Sequence, residues 1–83
     1  MPHQKIDIEI KIAEIFSIAL KRKIEVTDEI IRDNEAGWDS LVNLEIVMGI
    51  EEIFDVRLST EEIESFKSKS AVTRILLEIH GTM

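Results

Sequence analysis

Residues 6–22 read IDIEIKIAEIFSIALKR, and the fold depends on whether this stretch is a strand or a helix. Its first seven residues alternate apolar and charged, the period of a half-exposed strand. The continuation breaks that rhythm, because Ile8, Ile12, Ile15, Phe16 and Ala19 share one stripe at helical spacing. No other stretch of the chain alternates, so a strand here would find no partner for its backbone N–H and C=O groups. Helix is the consistent reading, and it makes the chain all-α.

Beyond that helix, residues 21–38 are polar and turn-prone and predict a long connecting loop with one helical turn, anchored by Val26, Ile30 and Ile31. A second helix is predicted from about Ser40 to Phe54, capped by Asp39. Ile46, Ile50, Ile53 and Phe54 form its expected core face, while Ser40, Leu44, Met48 and Glu51 lie on another face flanked by Glu45 and Glu52. Gly49 inside this helix costs about 1 kcal/mol relative to alanine and predicts close approach by a neighbour. Ser59 and Glu62 have capping-box spacing and predict a short helix to about Phe66. Ser70 is the expected cap of a last helix, AVTRILLEIH, with Val72, Ile75, Leu76 and Ile79 inward and Gly81 ending it. The expected architecture is a small four-helix bundle: three longer helices and one short one, with the long loop between the first two.

A chain of 83 residues, 45% hydrophobic and 33% charged, suits one folded module with a modest core. Its net charge of −7 is unevenly spread: Asp28 to Glu64 holds twelve acidic and two basic residues, and both ends are mildly basic. Such a middle repels nucleic-acid phosphates and fits either the steering of basic protein partners or, as the alternative, a merely solubilising surface. Cysteine is absent, which removes disulfides and thiolate metal sites. No apolar run is long enough for a signal core or a membrane span, so no stable membrane insertion and a cytoplasmic location are expected.

Enzyme chemistry is hard to assemble from these residues. A nucleophilic Ser40 would need a base, and the two histidines are His3 and His80, near the two ends. A calcium loop starting at Asp33 fails its register, with Trp38 at the sixth position and Leu44 at the twelfth. There is no glycine-rich phosphate loop. The expectation is a non-catalytic protein, without a metal, that carries or binds something.

The segment GWDSLVNLEIVMGIEEIF, residues 37–54, resembles the phosphopantetheine-attachment segment of acyl carrier proteins. The resemblance rests on the triplet Asp39-Ser40-Leu41, then Leu44-Glu45, Ile46-Val47-Met48, Glu51-Glu52 and Phe54. Length, acidity, helix order and the long first loop extend it over nearly the whole chain. It implies that a phosphopantetheinyl transferase attaches 4′-phosphopantetheine from coenzyme A to Ser40, with Asp39 and Leu41 in the recognised triplet. The arm's thiol then carries acyl groups as thioesters. Partners implied are acyl-loading, condensing or acyl-transferring enzymes whose basic surfaces dock on Leu44, Glu45, Met48, Glu51 and Glu52, the chain acting as a monomer. In the family, acyl chains can also fold back between the helices.

Departures narrow the resemblance. Val42 stands where an acidic residue is frequent, Trp38 where a small residue is frequent in housekeeping fatty-acid carriers, and Ile53 adds apolar character. These point to a stand-alone carrier in a specialised polyketide or lipid pathway. The Gly-Gly-x-Ser pattern of peptidyl carriers is missing, which disfavours an aminoacyl or peptidyl cargo without excluding it. A small acidic helical adaptor lacking any prosthetic group also stays open.

Overall fold

The computed structural model describes residues 5–78. In chain order it contains α1 (Lys5–Leu20), a 3₁₀ turn (Arg32–Asn34), α2 (Ser40–Phe54), α3 (Thr60–Glu64) and α4 (Lys69–Glu78). Three longer helices and one short one form a small all-α bundle, with α2 and α4 both packed on α1. Residues 6–12 are helical, and α1 buries the expected stripe of Ile8, Ile12, Ile15, Phe16 and Ala19. Against it lie Ile46, Val47 and Ile50 of α2, Phe66, and Val72, Ile75 and Leu76 of α4, closing one apolar core. Ile79, Gly81 and both histidines fall outside the described residues. Among the described residues no helix is long and apolar enough to cross a membrane.

Gly49 lets α1 and α2 approach closely: a Cβ added there would stand 3.3 Å from Ile15 Cγ2, inside comfortable contact. Two non-glycine residues end helices in the left-handed region, Lys21 at φ 61° after α1 and Asp55 at φ 55° after α2. The backbone N–H of Asp55 closes α2 by donating to the Glu51 carbonyl. The capping box of α3 is complete, with Ser59 Oγ accepting from the Glu62 amide and the Glu62 carboxylate accepting from the Ser59 amide.

The structure corrects four expectations. Ile53 is not a core residue; it is exposed, because in the last turn of α2 its direction has rotated away from the stripe toward the rim beside Ile18. The loop is anchored by Ile24 and Ile30 instead of Ile31. An antiparallel bridge pairs Ile31 with Ser68 in extended backbone, where neighbouring side chains point to opposite sides, so Ile30 turns in and Ile31 out. α3 ends at Glu64, and Phe66 is buried from the loop beyond it. The cap of α4 is Ser68, whose Oγ accepts from the Ala71 amide at 3.0 Å.

Ser70 has a different task. Its amide and hydroxyl both donate to the carboxylate of Glu29, at 3.1 and 2.5 Å, so an acid from the first loop covers the start of α4. Beside it Lys69, only 6% exposed, spends its ammonium on the backbone carbonyls of Val26 and Asp28, at 2.8 and 2.5 Å. The Arg32 amide donates to Lys67 O, and the Lys69 amide to Ile30 O. Ser17 ties the other end of the loop down: its Oγ accepts from the Ile24 amide and donates to Ala13 O. The long loop is therefore held between α1 and α4, and it delivers the chain to the start of α2 from a fixed direction.

Candidate functional site

Asp39 is the N-cap of α2, in extended backbone, with its side chain accepting from the Val42 amide at 2.9 Å and its carbonyl from the Asn43 amide at 2.8 Å. Ser40 is consequently the first helical residue, at the positive end of a 15-residue helix. Helix geometry gives the amides of Ser40 and Leu41 no acceptor within α2. Ser40 is exposed, and its hydroxyl makes no hydrogen bond with the described residues.

The other five serines contrast with it. Ser17 is committed to Ala13 and Ile24, Ser59 to the Glu62 amide, Ser65 to Glu61 O, Ser68 to the Ala71 amide and Ser70 to Glu29. Ser40 alone among the six has an uncommitted hydroxyl, and it is placed at the end of a long helix.

The outer face of α2 continues from the serine. Leu41, Leu44 and Met48 are 66%, 53% and 60% exposed, at spacings that align them along one side of the helix. Leu44 is thus a surface residue, not a packing residue. Glu45 and Glu52 are exposed along the same side and make no hydrogen bond or ion pair with the described residues. Both also line a shallow groove of about 500 Å³ between α1 and α2, together with Ile15, Ile18, Ala19, Lys21, Gly49 and Ile53. This is an apolar strip edged by free carboxylates, the composition of a protein-docking surface with a basic counterpart.

Glu51 differs from its expected place on that surface. It is half-buried, and its Oε2 accepts from the Leu58 amide at 2.9 Å, which fastens the α2–α3 loop to the helix. The carboxylate is turned toward the next loop, which leaves Glu45 and Glu52 as the acids of the open face.

The sequence marks Trp38 only as a departure from the resemblance and leaves Asn43 unremarked. Trp38 is 3% exposed and Asn43 7%, and the indole Nε1–H donates to Asn43 Oδ1 at 2.8 Å. A signal existed: at helical spacing Asn43 falls on the core stripe with Ile46 and Ile50, and a buried amide requires a partner. No protein-family model matches the chain.

Proposed function

We propose that the protein is an acyl-carrier-type carrier in which Ser40 accepts 4′-phosphopantetheine from coenzyme A under the action of a separate phosphopantetheinyl transferase. The observation that supports this most is the contrast among the serines: Ser40 is exposed, uncommitted and first in a long helix, while the other five are hydrogen-bonded. A phosphodiester formed at Ser40 Oγ would sit where the donor set is right for an anion, beside the Ser40 and Leu41 amides and the helix dipole. No base among the described residues is hydrogen-bonded to the Ser40 hydroxyl, and in this reading the transferase supplies one. Asp39 orders the first turn and offers the transferase a fixed carboxylate beside the hydroxyl. Leu41, Leu44 and Met48 supply the apolar centre of the docking surface, and Glu45 and Glu52 its acidic edge.

The thiol that carries acyl groups then belongs to the arm, consistent with a chain that has no cysteine. Cargo in fatty-acid, polyketide or related lipid synthesis follows from the resemblance, with an aminoacyl cargo as the nearest alternative. An adaptor without a prosthetic group would present the same apolar and acidic face, but would have no need of a free serine at its edge. Incubating the protein with coenzyme A and a broad-specificity phosphopantetheinyl transferase, then measuring intact mass, separates the two. A carrier gains one phosphopantetheine, and Ser40→Ala gains none while folding normally. An unmodified wild type supports the adaptor.

A further inference from the structure

Ser40 lies within a short stretch of chain closed by a buried side-chain hydrogen bond. Trp38 and Asn43 flank it in sequence, both are buried, and the bond from Trp38 Nε1 to Asn43 Oδ1 spans the five-residue separation that contains Asp39 and Ser40. Within that stretch, Asp39 holds the Val42 and Asn43 amides. The indole is held from two further directions, and the backbone of Trp38 from a third. Phe16 of α1 meets it edge to face, with centroids 5.0 Å apart and planes at 89°. The Arg32 guanidinium of the 3₁₀ turn lies 5.9 Å from the ring centroid. The Trp38 amide donates to Glu35 O at 3.0 Å.

Packing alone does not account for this arrangement. Asn43 occupies a position on the core stripe of α2 where an aliphatic side chain would bury more apolar surface and need no partner. Replacing both members of a buried hydrogen-bonded pair by apolar groups of similar shape is often nearly neutral for stability. What an apolar pair lacks is direction: leucine and phenylalanine can slide past one another, whereas an indole N–H aimed at an amide oxygen fixes the register of residues 38–43. The segment whose register is fixed is the one that presents Ser40.

We propose that Trp38 and Asn43 are positioning residues that hold the 38–43 segment in the conformation the transferase recognises; this rests on the reading of Ser40 as the modified residue. Neither side chain reaches the surface, so neither touches the incoming group, and both act through Asp39 and Ser40. An enzyme that binds one conformer of its protein substrate sees an affinity reduced by the fraction of the substrate in that conformer. Loosening the closure therefore raises KM and leaves kcat nearly unchanged, since a bound segment is ordered in either case.

The test compares the wild type with Trp38→Phe, Asn43→Leu and the double variant. Phenylalanine keeps the ring contact with Phe16 and loses the donor, which strands the Asn43 amide in the single variant. The double variant strands nothing and is the decisive one. Its thermal midpoint is expected to stay within a few degrees of wild type, while KM for loading by the transferase rises about tenfold and kcat stays within twofold. Hydrogen exchange at the Val42 and Asn43 amides should accelerate by more than tenfold, because a competent fraction of about a tenth leaves those amides open most of the time. A double variant with wild-type KM and wild-type exchange at those amides overturns the proposal. A lowered melting point with unchanged KM for the folded fraction assigns the pair to folding alone and also overturns it. If the wild type itself is not loaded, the Ser40 reading fails, and the exchange of Val42 and Asn43 still decides whether the closure orders the segment.

Discussion

Glu29 and Glu52 are both exposed carboxylates in an acidic protein, and their surroundings are opposite. Glu29 is bonded to the amide and hydroxyl of Ser70 and to its own neighbour's amide, so its charge is used inside the molecule. Glu52 has no partner in the described residues, and neither does Glu45 two turns before it. The same contrast extends to whole regions. Where the first loop meets α4, a lysine, a glutamate and several amides are all paired across the chain, and Ile24 and Ile30 are buried. Along the outside of α2, three large apolar side chains and two acids face solvent, and the acids have no partner among the described residues. Net charge alone would have treated all these acids alike. One group builds the fold, and the other is available to something outside it.

Breaking the paired side should give the largest effect. In Lys69→Ala two loop carbonyls lose a charged donor, and unfolding in urea is expected to show a loss of about 2–3 kcal/mol, in the range for buried hydrogen bonds to charged groups. Faster amide exchange at Arg32 should accompany it. A loss below about 0.5 kcal/mol would mean that the loop holds without its lysine.

Charge reversal on the bare side should reverse the pattern. Glu45→Lys with Glu52→Lys is expected to leave stability within about 0.5 kcal/mol and to slow transferase loading roughly tenfold at low salt, two exposed pairs at up to ~1 kcal/mol each. The wild-type rate should fall as salt rises. Glu51 is left out of the variant because its carboxylate holds the Leu58 amide, and reversing it would mix a structural loss into the measurement.

Smaller effects sharpen the contrast. Asp55→Gly relieves a left-handed conformation at the end of α2 and should raise stability by about 1 kcal/mol, seen as a higher melting temperature. Leu44→Ala and Met48→Ala, which would be costly in a core, should each change stability by less than about 0.5 kcal/mol, because neither side chain is buried.

What the sequence revealed and what it hid divide along a physical line. Asp39 capping α2 and the Ser59–Glu62 box act over three residues, and such contacts follow from spacing. The α1 stripe was legible because helical period outweighs a short alternation once the run exceeds two turns. Lys69 and Ser70 meet their loop partners across 41 to 43 residues, a distance at which no local pattern speaks. Ile53 lay at the margin of its stripe, and only the position of α1 decided its side. Trp38 stood out as unusual beside the serine, yet its role depended on Phe16 and Arg32 arriving from elsewhere.

The most direct test of the proposed attachment is to map the modification within the wild-type chain after coexpression with a phosphopantetheinyl transferase. Six serines are on offer, and five are occupied in the folded protein. Digestion and tandem mass spectrometry should find the phosphopantetheine on the peptide containing Ser40 and on no other. A phosphopantetheine on Ser17, Ser59, Ser65, Ser68 or Ser70, or on none of the six, would contradict it.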